Sequence, residues 1–143
     1  MTTSTSHILK TITVATAQDL VRFWVALMGD GGFGRRTLWL VLFDDDGRPA
    51  PAVVPVDDIP LTPSPQDVDR LGQFFDHLEG YGTPVLLLSR PGLCAVQEHD
   101  RQWARALASR TPRWPLHLAT EDAFGRCVVT PVPDAGDEPA RFV

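Results

Sequence analysis

Positive charge is scarce in this chain. Lys10 is its single lysine, and the basic residues number 13 against 18 acidic ones, leaving a net charge of −5. Affinity for a phosphate backbone comes mainly from clustered Lys and Arg, and here the arginines are scattered, so nucleic acid is not an expected partner. A membrane is an equally poor one: no run of about 18 apolar residues occurs. The first stretch, MTTSTSHILKTITVAT, also lacks the basic and apolar regions of a signal peptide, so a cytoplasmic location is expected. Cysteine is rare as well. Cys94 and Cys127 could pair in principle, but they are too few for a disulfide framework, and free buried thiols are expected.

What is present suits one globular domain. The chain has 143 residues, 43% of them hydrophobic, enough to bury about two thirds of the surface that the unfolded chain exposes. Residues 1–11 are rich in Thr and Ser and carry no sustained period, so they read as a mobile tail, extending to residue 14, or as a short edge segment. Thr16 with Asp19 three positions on resembles a capping pair, and Leu20, Phe23, Trp24, Leu27 and Met28 recur at helical spacing, which predicts a helix over 17–28. Leu38 to Phe43 (LWLVLF) is a continuous apolar run, as a strand buried on both faces requires. Asp46-Gly47 and the following PAVVPV make a β-hairpin, with Pro51 and Pro55 pushing the second strand toward a sheet edge.

Ser64-Pro65 supplies an N-cap hydroxyl and then a proline at the first helical position, and Val68, Leu71, Phe74, Phe75 and Leu78 form one apolar stripe. Pro84 to Ser89 is a second apolar strand, followed by the Arg90-Pro91-Gly92 turn and a helix over about 97–109. Strands are expected over 114–119 and 126–130, joined by a turn at 120–125, with residues 131–143 as a loose tail. The fold class is therefore α/β: a single domain with a mixed β-sheet and about three helices. Trp24, Trp39, Trp103 and Trp114 are read as core residues.

Several motifs fail on context or spacing. Gly29 to Gly34 (GDGGFG) matches GxGxxG, but that loop works when a strand precedes it and a helix follows, and here the order is reversed. Cys94, His99, His117 and Cys127 are zinc-ligand types without a close ligand pair. The acidic loops at Asp44 to Asp46 and Asp57-Asp58 lack EF-hand spacing and read as solvated turns. His7 and His77 read as solvated side chains. Neither a metal nor a cofactor is expected.

The string LLLSRPGLCAVQEHDRQWARALASRTPRWPLHLAT has an apolar strand, a proline-containing loop, a helix and a further strand. In this layout the stretch from Leu38 to Thr130 resembles the JAB/MPN superfamily, particularly its RadC-like bacterial branch. That family has HxHP at the strand end and an aspartate ligand on the helix. The resemblance implies a cytidine-deaminase-like layering and matches Pro91 to the family's proline. Leu88 and Arg90 then stand where the two histidines would, and neither can hold a cation. The usual spacing puts Arg101 at the aspartate; a one-residue deletion in the loop would put Asp100 there instead.

The resemblance implies a degenerate metal site and no metal-assisted hydrolysis. The expected function is a non-catalytic JAB-like domain that binds another protein or itself, including as a homodimer. Its expected binding surface is the strand end carrying Ser89 and Arg90 with the helix start at His99 and Asp100, where Arg90 can pair with Asp100. The alternative is a metal-independent hydrolase using Ser89 or Cys94 as nucleophile with His99 or His117 as base.

Overall fold

A computed structural model describes residues 12–29, 33–78, 80–111 and 113–133. The elements run α1 (Ala17–Met28), β1 (Thr37–Phe43), β2 (Pro49–Asp57), α2 (Pro65–Leu78), β3 (Thr83–Ser89), α3 (Glu98–Leu107), a 3₁₀ turn (Ala108–Arg110), β4 (His117–Glu121) and β5 (Cys127–Pro131). The five strands form one mixed sheet in the order β2-β1-β3-β4-β5, with β3 and β4 parallel and every other neighbouring pair antiparallel.

Strand alternation divides the core into two layers. On one face Leu38 and Leu40 of β1, Leu86 and Leu88 of β3 and Leu118 of β4 pack with Phe75 of α2 and Trp103 and Leu107 of α3. On the other, Val41, Phe43, Val85, Leu87 and Ala119 pack with Leu20, Phe23 and Trp24 of α1. The apolar runs of β1 and β3 are thus covered on both sides, so a leucine such as Leu88, fully buried, contributes roughly 1.5–3 kcal/mol through apolar burial. Trp24 and Trp103 are fully buried; Trp39 and Trp114 pack at the margin of the α1 layer.

Local chemistry sets the helix starts. Thr16 Oγ1 accepts the Asp19 amide at 3.1 Å while Asp19 Oδ2 accepts the Thr16 amide at 3.1 Å. Ser64 and Asp67 cap α2 by the same exchange. Gly29 closes α1 with φ +59, and β1 does not begin until Thr37, so among the described residues no helix opens from the glycine segment.

Three expected boundaries are corrected. Residues 12–14 lie on the domain: Val14 is buried and its amide donates a 2.8 Å hydrogen bond to the Gly47 carbonyl in the β1–β2 turn. The supposed loose end at 131 still belongs to β5, and Val132 is fully buried with its amide on the Leu116 carbonyl at 2.8 Å. Residues 134–143 and His7 lie outside the described residues. The expected strand over 114–119 starts instead at His117, because Pro115 has no amide to give to a ladder.

Candidate functional site

The sheet's register brings one set of chain segments to a common edge. Thr37 opposes both Asp57 and Ser89, and Ser89 opposes Ala119. The start of β1, the exits of β2, β3 and β4, and the loop 90–97 therefore meet there, beside the N-terminus of α3. Among the four residues expected to form the binding surface, Arg90, His99 and Asp100 come together. Ser89 does not join them, because its alternation puts it on the α1 face, where its hydroxyl accepts Trp39 Nε1 at 2.9 Å.

Arg90 is only 2% exposed, and all five of its guanidinium hydrogens have acceptors. Nε donates to Asp100 Oδ1 at 2.9 Å and Nη2 to Asp100 Oδ2 at 2.7 Å. The remaining donors reach the carbonyls of Pro91 (3.0 Å), Leu93 (2.8 Å) and Ala95 (3.1 Å). The loop is wound around its own first side chain. Gly92 permits the winding: its φ is +101, in the left-handed region that favours glycine.

Asp100 is completely buried. Besides Arg90, it accepts the Gln97 amide at 2.8 Å, occupying the third helical position and satisfying one of the donors that a helix start leaves open. Burial pushes this carboxyl up, yet the Arg90 guanidinium and the Gln97 amide together hold it below the ordinary carboxylate range. The anionic form is the one that the fold stabilises.

Two more polar groups face the same carboxylate. Arg36, at the mouth of β1, places Nη1 3.9 Å from Asp100 Oδ1, and His99 places Nδ1 3.3 Å from it. Both nitrogens are shut off from solvent and neither makes an aligned hydrogen bond among the described residues. Burial depresses the His99 imidazole, and Arg36 and Arg90 add to this, more than Asp100 raises it. Arg36 is the residue that sequence reasoning missed. It lies 54 positions upstream of Arg90, and only the β1–β3 register brings it in.

The nucleophile candidates are placed unfavourably for hydrolysis. Ser89 is fully buried. His117, also buried, directs Nδ1 to the Pro115 carbonyl at 3.0 Å, and burial lowers its basicity. Cys94 and Cys127 are free, half-buried rather than fully buried, and burial raises the Cys127 thiol, as does Glu121 nearby. No nucleophile–histidine hydrogen bond is formed among the described residues. No metal-ligating group of three or more His, Cys, Asp or Glu side chains occurs among them either.

The rim of this edge is apolar in places. Leu61 follows β2, Leu93 sits in the Arg90 loop at 70% exposure, and Phe124 tips the β4–β5 turn at 80%. A hollow of about 200 Å³ opens between Val56, Ile59, Leu71 and Trp103, and Asp57, Asp58, Asp67 and Arg70 also line it. Neither a family model, a curated protein nor a solved structure matches this chain. What is established is a three-layer α/β domain in which no described helix is long and apolar enough to cross a membrane.

Proposed function

We propose that this chain is a protein-interaction domain of JAB/MPN-like layout, in which an arginine–aspartate pair stands where that family holds zinc. The carrying observation is the bidentate Arg90–Asp100 pair at the strand end, sealed from solvent and complete in its hydrogen bonding. The residues do not fit a metal: Leu88 is a core side chain without a lone pair, and the Arg90 guanidinium is itself the cation beside Asp100. A guanidinium supplies the charge balance that a metal would give an aspartate, but no site for polarising a substrate.

Docking is supported by the rim. Three large apolar side chains are left in water along this edge of the sheet. Leu61, Leu93 and Phe124 all belong to that edge, and Arg126 lies over the Phe124 ring at 5.0 Å. The hydrolase reading has no comparable support, since Ser89 is sealed and held by Trp39.

Site-specific photo-crosslinking in the native cell tests the proposal. A photoreactive residue at position 93 or 124 should yield one discrete protein adduct, and one at Tyr81, 76% exposed at the opposite end of β3, should not. Equal labelling from all three positions, or none from 93 and 124, would remove the docking edge. Stoichiometric zinc in the purified protein would overturn the exchange of metal for guanidinium.

A further inference from the structure

At the end of the sheet opposite the Arg90 loop, a second hollow of about 180 Å³ opens between α2, the sheet and the 3₁₀ turn. Its floor is apolar: Leu42 from the close of β1, Pro84 from the opening of β3, and Phe75 and Leu78 from the last turn of α2. Its rim carries one charge of each sign. Asp76 and Arg110 pair there at 2.6 Å, with side chains 60% and 40% exposed. Unlike the sealed Arg90–Asp100 pair, this one stands open to water.

The position of Arg110 is built into α2. Gly72 is buried inside that helix, where glycine is less stable than alanine, and it has no positive φ to require it. A Cβ there would lie 2.7 Å from Arg110 Nη2 and 3.3 Å from Cζ. The guanidinium thus lies against bare helix backbone, in a seat that a larger residue would fill, and Asp76 holds it one turn further along. Among the described residues only Nη1 donates a hydrogen bond, to Asp76 Oδ1, so Arg110 keeps donors for an anion.

We infer that this hollow binds a free α-amino acid with an apolar side chain of leucine or phenylalanine size. Volume sets the class. An apolar cavity of about 150 Å³ holds a benzene-sized body, whereas sites for drug-sized ligands run from roughly 300 Å³ upward, so a nucleotide is too large. The side chain enters the apolar floor, the α-carboxylate takes the Arg110 guanidinium, and the α-ammonium takes Asp76. A simple carboxylic acid would meet Asp76 unpaired, and a simple amine would meet Arg110. A zwitterion answers both. An ion pair open to water contributes little, so exchanging it for two contacts with the ligand costs little. The site is independent of the docking edge, which lies at the other end of β1 and β3.

Titration of the isotope-labelled full-length protein with L-leucine and with L-phenylalanine, followed by amide NMR shifts, tests this. At least one should shift the amides of Gly72, Asp76, Gly82 and Ser109 in a saturable way and leave those of the Arg90 loop in place. Its amide derivative, which lacks the carboxylate charge, and its deaminated acid, which lacks the ammonium, should each bind about tenfold or more weakly, the loss expected of one charge-assisted hydrogen bond. On Arg110→Gln the amino acid should bind no better than its amide. Gly72→Ala, which moves the guanidinium while keeping its charge and favouring the helix, should weaken the amino acid by about tenfold as well. Should either variant misfold, the two analogues on the wild-type protein still decide. No saturable shift from either amino acid up to about 10 mM, or shifts outside the hollow, overturn the site. Analogues as tight as the parent overturn the zwitterion, and indifference to Arg110→Gln or to Gly72→Ala overturns the seated anchor. Each of these failures leaves the docking edge standing.

Discussion

Replacing Arg90 by Met removes the bidentate cation and leaves Asp100 with the Gln97 amide as its hydrogen-bond donor and with Arg36 3.9 Å away, and three loop carbonyls lose their donor. Removing one partner of a buried pair costs about 3–5 kcal/mol, so urea midpoints should fall accordingly. Replacing both partners, Arg90→Met with Asp100→Leu, should recover part of that loss, because neither member of the pair is left buried without the other. If the double variant is as unstable as the two single losses added together, the arginine matters through the loop carbonyls and not through Asp100. Arg90→Lys is not a conservative change here, since an ammonium cannot span the carboxylate and three carbonyls at once. The Arg90–Asp100 pairing was legible in the sequence, ten positions apart across one loop. Arg36 was not, because nothing local to residue 36 refers to residue 100.

Among the elements, α1, the β1–β2 hairpin and the start of α2 were readable because each carries its own chemistry. Thr16 and Asp19 cap one helix, Asp46-Gly47 turns the hairpin, and Ser64-Pro65 opens the other helix. Misjudged segments depended on distant partners. Val14 looks like tail until Gly47 is brought against it, and Val132 is held by Leu116 across β4 and β5. Gly47 joins the two kinds of information. Its φ is +82, and a Cβ would fall 2.2 Å from the Val14 carbonyl oxygen. Gly47→Ala should therefore cost at least about 1–3 kcal/mol from strain alone, with displacement of the 12–15 segment in addition. Faster amide exchange at Val14 together with a lower urea midpoint is the expected signature. Loss of stability with unchanged exchange at Val14 would confine the effect to the turn itself.

For the whole molecule, composition and element order give a mixed sheet between helices, but not the order β2-β1-β3-β4-β5 that makes the edge. That order follows from pairing energies between segments far apart in sequence, which no local pattern encodes. The assembled fold makes stability depend on pH in a definite direction. Burial lowers His117 more than the Pro115 carbonyl raises it, and burial also lowers His99. Asp100, despite burial, is held low by Arg90 and Gln97. In each case the folded chain binds fewer protons than the unfolded one. Their contribution is therefore full above the unfolded values and is lost as pH falls through the folded ones. The decline should begin near pH 6.5, the ordinary histidine value, and steepen below about pH 4, where carboxylates titrate.

Cys127 acts in the opposite sense. Burial, assisted by Glu121, raises its thiol, so its contribution is present below the unfolded value of about 8.5 and is lost as pH rises through the higher folded one. Stability should accordingly peak between about pH 6.5 and 8.5. Urea unfolding at half-unit pH steps checks the profile. His117→Gln should flatten the part between pH 6.5 and 5, while Cys127→Ser should remove the alkaline decline. A wild-type curve that rises from pH 7 to pH 5 would mean that the two imidazoles gain protons on folding, contrary to an uncharged His117 beneath α1 and an uncharged His99 beside two guanidiniums.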